Sequence, residues 1–297
     1  MKAMILAAGH GTRLRPFSFK RPKPLFPVLG VPLIYYHLKQ LISSGCKPIV
    51  VNAHYLGDQM RTHLEGNPFV ILQQEEEILG TGGGLRRALQ HFDETPVLVV
   101  NGDIFHTIDL AAVYEKHLQS NATITLVLHD YPRFNTVQVS DDGLVTGFAT
   151  AEKAVGGKGR TLAFTGIHVI DPAVLAMIPG NEFYNIIDCY RQVLQDGGRI
   201  NALELQGHFW KDIGTPEDYL GLHAALLTGK DVPASHKQRK PFYCAANVQM
   251  GRDVILSDWV SMGQDVRVGD GARLERVVVW DGADIPAGAH YHDTIII

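Results

Sequence analysis

Short apolar runs alternate with stretches of helical periodicity along the N-terminal half of the chain. An apolar run at 1–8 is bounded by glycine, apolar side chains recur at helical spacing over 33–43, and 48–53 is β-branched. The alternation continues with helical periodicity at 59–64 and 85–92 and with strand-like runs at 69–72 and 96–100. Strands and helices in alternation predict a mostly parallel sheet covered by helices on both faces, which is an α/β fold.

The middle of the chain is richer in strands. Strand-like runs occupy 122–129, 136–139, 144–148 and 163–170. Asp141-Asp142-Gly143 separates the second of these runs from the third, which predicts a β-hairpin and therefore a mixed sheet. Residues 182–195 have the apolar spacing of an amphipathic helix, and Thr215-Pro216-Glu217 is a helix start signal.

The pattern changes after residue 229. Residues 230–241 are polar, charged and bracketed by prolines, which indicates a linker. Beyond it a small apolar residue recurs every sixth position, at Val248, Val254, Val260, Val266, Ala272 and Val278, and Gly251, Ser257, Gly263 and Gly269 follow three places behind. This period predicts a short left-handed hexapeptide β-helix. We expect an N-terminal α/β domain at 1–229, a linker at 230–245 and the β-helix at 246–297.

The β-helix is too short to be independent. At about three hexads per coil, the repeat supports only about two coils. We therefore expect it to pack on the N-terminal domain or on another subunit, which leaves a homo-oligomer as an open alternative.

Composition excludes several classes of protein. The 297 residues are 45% hydrophobic and carry a net charge of −4, which gives no electrostatic footprint for nucleic acid or an anionic membrane. No apolar run approaches the roughly twenty residues of a membrane span, and the apolar start is too short for a secretory segment. Cys46, Cys189 and Cys244 are widely spaced, which fits reduced thiols in a cytoplasmic protein. The 14 histidines lack ligand spacing, so we expect them to be satisfied or solvent-facing.

The first apolar run ends in a glycine turn followed by cations. Gly9 and Gly11 let the backbone approach an anion, while Thr12, Arg13 and Lys23 add a hydroxyl and two charges. The turn has neither the third glycine and acidic residue of a dinucleotide fingerprint nor the Gly-Lys-Ser/Thr of a Walker loop. What remains is a cationic segment stiffened by prolines, residues 12–28, which we call the arm. Such an arm suits a triphosphate. A plain surface loop is the alternative interpretation.

The same residues carry a family resemblance. The stretches G-x-G-T-R-L-R-P from Gly9 and R-P-K-P-L-F-P-V from Arg21 resemble the signature of the sugar-1-phosphate nucleotidyltransferases, or NDP-sugar pyrophosphorylases. The resemblance implies a Rossmann-like, GT-A-like sheet and a loop that wraps the triphosphate. It also implies that Arg13 stabilises the leaving pyrophosphate and that Lys23 contacts the phosphates being exchanged.

Two aspartates are the expected metal ligands. Asp103 follows a buried strand in Asn101-Gly102-Asp103, where a carboxylate can hold a divalent ion against phosphate oxygens, although these residues also suit an ordinary turn. The resemblance implies that Asp103 binds Mg²⁺. Asp212, in a segment similar to the family's W-x-D-[IV]-G-T-P-E, is the expected partner, and Thr215 can cap the next helix at the same time.

A glycine-rich segment is expected to line the nucleoside. Residues 75–84 resemble the family's E-P-L-G-T-A-G-A segment and also the form found in muramate-1-phosphate uridylyltransferases. A solvated loop is the alternative, and a carboxylate at Glu75 suits either guanine or uracil. The expected nucleotide-binding residues are Ala7, Ala8, Gly9, Gly11, Thr12, Arg13, Glu75, Gly80, Thr81 and Gly82.

The middle of the chain is expected to recognise the sugar. Glu152-Lys153 and Thr165-Gly166 resemble the family's E-K-P and N-T-G patterns, with Ala154 in place of the proline. That departure leaves Lys158 and Arg160 as alternatives to Lys153. The expected sugar-phosphate residues are Asn135, Glu152, Lys153, Thr165, Gly166 and Asn185.

The sequence thus predicts an enzyme that joins a nucleoside triphosphate to a sugar-1-phosphate and releases pyrophosphate, with Arg13, Lys23, Asp103 and Asp212 as catalytic residues and Mg²⁺ as cofactor. GTP with mannose-1-phosphate is the favoured pair, because many mannose-1-phosphate guanylyltransferases carry a hexapeptide tail. A UTP-dependent enzyme is the alternative. A metal-dependent glycosyltransferase and a non-catalytic sugar-nucleotide sensor remain as rivals from other classes.

Overall fold

The computed structural model describes residues 1–149, 160–230, 232–233 and 240–297. They form two compact units, each built from separate stretches of chain. The first unit contains Met1–His10, His37–Gly102 and Asp109–Gly207, and the second contains Gly11–Tyr36, Asp103–Ile108 and His208–Ile297. No described helix is both long and apolar enough to cross a membrane.

The strands are β1 (Lys2–Leu6), β2 (Pro27–Val28), β3 (Val31–Pro32), β4 (Ile49–Ala53), β5 (Val70–Gln74), β6 (Val97–Asn101), β7 (Ile104–His106), β8 (Ile124–His129), β9 (Asn135–Val139), β10 (Val145–Phe148), β11 (Arg160–Ile170), β12 (Ile200–Glu204), β13 (Trp210–Asp212), β14 (Phe242–Cys244), β15 (Gln249–Met250), β16 (Ile255–Met262), β17 (Arg267–Val268), β18 (Arg273–Val279), β19 (Asp284–Ile285) and β20 (His290–Ile296).

The α-helices are α1 (Leu33–Ser43), α2 (Gly57–Leu64), α3 (Gly80–Ala88), α4 (Leu110–Gln119), α5 (Pro172–Ala176), α6 (Ile186–Gln195) and α7 (Pro216–Thr228). Short 3-10 turns at Thr12–Leu14, Phe17–Phe19 and Lys23–Leu25 follow the first strand.

A mixed sheet forms the first unit. The strand order among the described residues is β10-β9-β11-β6-β1-β4-β5. Strand β8 also pairs with β11, and β12 pairs with β8. Met4 of β1 aligns in parallel with Val50 of β4 and with Val99 of β6, whereas β11 runs antiparallel to β6, β8 and β9. The predicted mostly parallel α/β sheet is confirmed. The carboxyl ends of β1, β4, β5, β6 and β8 share one edge, which is where ligands bind in such sheets.

Continuous apolar strands explain the burial of this sheet. Val97, Val99, Leu126 and Leu128 are fully buried, as expected for strands with helices on both faces. They pack in one core cluster with Leu85 of α3 and other residues of the flanking helices.

The second unit joins the cationic arm to α7 and to the C-terminal strands. Strands β14, β16, β18 and β20 form one parallel sheet, and β15, β17 and β19 form another. Phe242 aligns with Val260, and Arg273 with His290, so each strand pairs with one 18 (242 to 260) or 17 (273 to 290) residues later. The recurring Val260, Val266 and Ala272 are buried in their core.

A second core in this unit holds residues from all three of its stretches. Phe26, Phe105, Tyr219, Trp259 and Trp280 pack in it together. The C-terminal strands therefore bury apolar surface against α7 and the arm. This packing stabilises the C-terminal strands, which are too few to be stable as an isolated repeat.

Several helix boundaries differ from the expectation, most clearly those of α3 and α6. Helix α3 begins at Gly80 and ends at Ala88, whereas the periodicity predicts a helix over 85–92. Helix α6 begins at Ile186 instead of 182, because the Asn185 side chain accepts a hydrogen bond from Ile187 N and caps it. The domain boundaries at 229 and 245 stay a prediction; α7 does end at Thr228, with Gly229 in a left-handed cap.

Candidate active site

A lysine and two carboxylates meet in the second unit. Lys23 Nζ lies 2.6 Å from Asp103 Oδ2 and 3.8 Å from Asp212 Oδ1. The Lys23 side chain is only 9% exposed, the Asp212 side chain 16% and the Asp103 side chain 37%. Three residues that lie at least 80 positions apart in the sequence thus form one charged cluster.

A small antiparallel ribbon brings the two aspartates together. Asp103 directly precedes β7, Asp212 ends β13, and Asp212 aligns with Ile104 across the ribbon. Ile213 N donates to the Asp103 carbonyl at 3.0 Å and fixes the two chain segments next to each other. The register of this ribbon therefore sets the separation of the carboxylates.

The pKa of Asp212 is raised, first by burial and also by the charge of Asp103, while Lys23 and Arg13 act in the opposite direction. Two neighbouring carboxylates oppose each other's ionisation, and a cation between them relieves the repulsion. In this structure Lys23 supplies that cation.

Arg13 approaches the same cluster through a glycine. A Cβ on Gly214 would crowd Asp212 Oδ2 and would lie 2.9 Å from Arg13 Nη2, so a larger residue there would displace the carboxylate and the guanidinium. Gly214 N donates to Asp212 Oδ2 at 3.0 Å, and Thr215 caps α7 by accepting from Asp218 N. The capping role belongs to Thr215, and Asp212 remains directed at Lys23.

The donor set fits a magnesium ion held jointly with phosphate. Mg²⁺ usually takes one or two carboxylates, several waters and substrate phosphates. Asp103 and Asp212 supply two carboxylates that already converge on a cation. Among the described residues no cluster of three or more His, Cys, Asp or Glu side chains could hold a metal, so the remaining ligands would come from water and substrate.

In the first unit Glu75 is an internal anchor. Glu75 as a whole is 2% exposed, and its carboxylate accepts hydrogen bonds from Asn52 Nδ2 at 2.8 Å, Gln73 Nε2 at 3.3 Å and Leu79 N at 3.2 Å. Asn52 Oδ1 in turn accepts from Ala7 N at 2.7 Å. The network ties the end of β1 to β4, β5 and the start of α3.

The glycines of α3 allow close packing inside the first unit. Gly82 N and Gly83 N both donate to the Tyr184 carbonyl, at 2.8 and 3.2 Å, and Thr81 Oγ1 accepts from Ile186 N at 3.0 Å. A Cβ on Gly83 would lie 2.5 Å from the Glu182 carbonyl oxygen. These glycines therefore hold residues 182–186 against the helix.

The predicted sugar residues occupy several places in the first unit. Thr165 is buried and donates to the Val127 carbonyl at 2.8 Å, and the left-handed Gly166 lies against Asn101, where a Cβ would come within 2.7 Å of Nδ2. Asn135 donates to Asp130 at 2.7 Å. Glu152, Lys153 and Lys158 lie outside the described residues, and Arg160 pairs with Glu204.

Asn52 and Gln73 are partners of Glu75 that sequence analysis missed. Both are buried polar side chains at the ends of strands, and Asn52 follows three fully buried residues in β4. The signal in the sequence was an amide side chain near the end of an apolar strand. Such a strand is expected to be buried, and a buried amide requires hydrogen-bond partners.

Comparison with known proteins identifies the class. The sequence matches the family described as Nucleotidyl transferase over residues 2–229. This chain belongs to the nucleotidyl transferase family, and the predicted resemblance is confirmed.

Relatives of known activity narrow the class to sugar-1-phosphate nucleotidyltransferases. The chain is 34% identical to the N-acetylmuramate alpha-1-phosphate uridylyltransferase of Neisseria meningitidis serogroup B, over 72% of this chain and 94% of that protein. It is 28% identical to the mannose-1-phosphate guanylyltransferase of Mycobacterium tuberculosis, over 96% of this chain and 81% of that protein. Family substrates are a nucleoside triphosphate and a sugar-1-phosphate, and the family generally uses a divalent metal.

A solved structure agrees in fold. HddC from Yersinia pseudotuberculosis is 25% identical, covers 74% of this chain and 97% of its own length, and superposes with a TM-score of 0.62. The predicted α/β architecture of the nucleotidyltransferases is thereby confirmed.

Proposed function

We propose that this protein converts a nucleoside triphosphate and a sugar-1-phosphate to an NDP-sugar and pyrophosphate. A phosphate oxygen of the sugar-1-phosphate attacks the α-phosphorus in line, and the bond from that phosphorus to the oxygen bridging to the β-phosphate breaks. Pyrophosphate leaves with the electron pair of that bond. The observation that carries the proposal is the convergence of Lys23, Asp103 and Asp212, with Arg13 beside them, in a chain of this family.

The residues of this cluster have separate roles in the proposal. Asp103 and Asp212 would hold Mg²⁺, whose positive charge would neutralise phosphate oxygens. Lys23 exchanges its carboxylate partners for the phosphates being transferred, and Arg13 stabilises the charge that develops on the leaving pyrophosphate. Little covalent chemistry is needed, because positioning and charge neutralisation dominate such transfers.

The first unit is proposed to hold the nucleoside and the sugar. Glu75 acts there as a buried anchor for the backbone around Ala7, Leu79 and the glycines of α3. The proposed nucleotide-binding residues remain Ala7, Ala8, Gly9, Gly11, Thr12, Arg13, Gly80, Thr81 and Gly82. Asn135, Glu152, Lys153, Thr165, Gly166 and Asn185 remain the proposed sugar-phosphate residues.

Two substrate pairs are supported by particular relatives. GTP with mannose-1-phosphate is the first pair, since the guanylyltransferase relative aligns over 96% of the chain, including the C-terminal strands. UTP with a sugar-1-phosphate such as N-acetylmuramate-1-phosphate is the second, because a uridylyltransferase relative has 34% identity.

We also propose the domain organisation expected from sequence. A catalytic domain at 1–229 is followed by a linker at 230–245 and a left-handed β-helix at 246–297. The parallel pairing of the C-terminal strands at intervals of 18 (242 to 260) and 17 (273 to 290) residues supports stacked coils of about three hexads each. The outermost coil offers a surface for homo-oligomerisation.

The test is pyrophosphate release in the presence of Mg²⁺. GTP, UTP, dTTP, ATP and CTP are each combined with mannose-, glucose-, N-acetylglucosamine- and N-acetylmuramate-1-phosphate. We expect one pair to release pyrophosphate faster than all the others, and we expect that pair to be GTP with mannose-1-phosphate. Release of free nucleoside diphosphate from an NDP-sugar would instead identify a glycosyltransferase, and tight NDP-sugar binding without turnover would identify a sensor.

A further inference from the structure

The C-terminal strands contact the arm that carries Lys23. The Arg21 guanidinium lies 5.0 Å from the centre of the Trp280 ring, and its nitrogens lie 3.5 Å from Asp281 Oδ2. Trp280 and Asp281 directly follow β18. Arg21 is two residues before Lys23, so Trp280 and Asp281 contact the arm close to Lys23.

Trp280 is surrounded by further residues of the arm and of α7. Its ring centre lies 4.8 Å from that of Phe26 and 6.3 Å from that of Phe17. Its Nε1 donates to Tyr219 Oη at 3.2 Å, and Tyr219 Oη donates to the Pro27 carbonyl. Trp280 therefore holds the arm both directly and through Tyr219.

The arm has little regular structure that could fix its own position. Around Lys23 it forms one 3-10 turn, in which Leu25 N donates to the Pro22 carbonyl at 2.8 Å and Phe26 N to the Lys23 carbonyl at 3.0 Å. Short turns of this kind are held by their surroundings. Trp280 is 3% exposed and supplies a large part of those surroundings.

We propose that Trp280 and Asp281 are positioning residues for the nucleotidyl transfer, acting through Arg21 and Phe26 to hold Lys23 against Asp103 and Asp212. The inference rests on the proposed function for its effect on turnover. It assigns the C-terminal strands a part in catalysis, in addition to any part in assembly. Small displacements of a positioned charge are costly, since about 1 Å of misplacement can lower a rate about 100-fold.

The chain offers a matched control for Asp281. Asp281 Oδ1 accepts from the backbone of Gln264 at 3.0 Å, and Asp270 Oδ1 accepts in the same way from the backbone of Arg252 at 2.8 Å. Asp270 also pairs with an arginine, but that arginine is Arg252 of the C-terminal segment itself. Asp281→Asn and Asp270→Asn therefore make the same chemical change, with and without contact to the arm.

The experiment compares wild type, Asp281→Asn, Asp270→Asn, Trp280→Phe and Trp280→Leu in the full chain. Three quantities are measured: kcat and KM for pyrophosphate release, the thermal midpoint, and hydrogen exchange of the peptide covering residues 17–30. Trp280→Phe retains an aromatic face for Arg21 and serves as the conservative variant.

We expect Asp281→Asn to lower kcat roughly 10-fold and Trp280→Leu roughly 100-fold, with exchange of the arm accelerated in both. Asp270→Asn should lower the thermal midpoint about as much as Asp281→Asn while leaving kcat and arm exchange at wild-type values. Trp280→Phe should recover most of the kcat lost in Trp280→Leu.

Equal kcat in Asp281→Asn and Asp270→Asn, with wild-type arm exchange in Asp281→Asn, would overturn the inference. If the wild-type protein turns over no substrate pair, the proposed function fails by itself. Hydrogen exchange then still decides whether Trp280 and Asp281 order the arm, because that measurement requires no activity.

Discussion

The two units use buried polar groups in opposite ways. In the first, the Glu75 carboxylate accepts three hydrogen bonds from the protein and is closed to solvent. In the second, Lys23 stands between two carboxylates of which Asp103 is 37% exposed. The first arrangement is complete without a ligand, whereas the second can exchange its partners for phosphate and metal. A satisfied network fixes shape, and an exchangeable charge cluster is suited to chemistry.

The largest effect should come from the exchangeable cluster. Asp103→Asn removes one of the two carboxylates that would hold the metal, so we expect kcat for pyrophosphate release to fall about 1,000-fold. The free energy of unfolding should change by no more than about 1 kcal/mol, because Asp103 is partly exposed. Steady-state kinetics and urea denaturation measure the two quantities.

Asp109→Asn is the control for this substitution. Asp109 belongs to the first unit, where it caps α4 by accepting from Ala112 N at 3.1 Å, whereas Lys23, Asp103 and Asp212 belong to the second. It should retain wild-type kcat. Wild-type turnover in Asp103→Asn would contradict the proposed role of the cluster.

The satisfied network should respond in stability first. Glu75→Gln places an amide donor where the amides of Asn52 and Gln73 already donate, so we expect a loss of about 1 to 3 kcal/mol in unfolding free energy. The KM for the triphosphate should rise several-fold, with a smaller change in kcat. Glu76→Gln, at the exposed neighbouring position, should change neither. A selective fall in kcat for Glu75→Gln would place that carboxylate in the chemistry instead.

A smaller loss is expected from the packing of α3. Alanine in place of glycine ordinarily stabilises a helix by about 1 kcal/mol. At Gly83 the added Cβ would lie 2.5 Å from the Glu182 carbonyl oxygen, so Gly83→Ala should instead destabilise by about 1 to 2 kcal/mol. Gly180→Ala, outside the helices and with nothing within 4 Å of the added Cβ, is the control for the added methyl group alone. Thermal unfolding measures both, and equal midpoints would refute the close approach.

The last comparison concerns the pH dependence of stability and two buried histidines, one in each unit. Burial lowers the pKa of His168 in the first unit to about 3 and that of His223 in the second to about 4. Both are neutral when folded, so below pH 6.5 the unfolded chain binds protons that the folded chain does not. Each histidine should therefore reduce stability as the pH falls from 6.5 toward its folded pKa, by at most about 1.4 kcal/mol per pH unit.

Their substitutions should differ in cost. His168 has no hydrogen-bond partner among the described residues, so His168→Phe should remove its pH dependence at little cost at pH 7.5. His223 Nε2 accepts from Leu29 N at 3.4 Å, so His223→Phe should cost about 1 to 3 kcal/mol at the same pH. Urea denaturation at pH 7.5 and 5.5 tests both. If the unfolding free energy of His168→Phe falls between these pH values as much as that of the wild type, the buried neutral state of His168 is contradicted.

Local patterns were sufficient for much of the fold. Helix α1 has the predicted bounds of 33–43, and the strands around Met4, Val50 and Val99 are those that the apolar runs predicted. The start of α6 was not predictable from periodicity, because the packing of Tyr184 on the glycines of α3 holds residues 182–184 outside the helix. Long-range backbone contacts of that kind leave no periodic signal.

The site was predictable in its parts but not in its arrangement. Lys23, Asp103 and Asp212 could be selected by chemistry and by resemblance, whereas the anchoring role of Glu75 depends on Asn52 and Gln73 from two other strands. The contact of Trp280 with Arg21 joins positions 259 residues apart (280 minus 21) and follows from no local motif.

The sequence by itself determined which segments become strands and helices, the repeat at the C-terminus and the family, because these depend on periodicity and on motifs within a few residues of one another. Only the tertiary structure decided which charges meet, which carboxylate is internally satisfied and which residues contact the segment that carries Lys23. Those outcomes depend on burial and on distances between residues far apart in the chain, and a linear pattern does not encode either quantity.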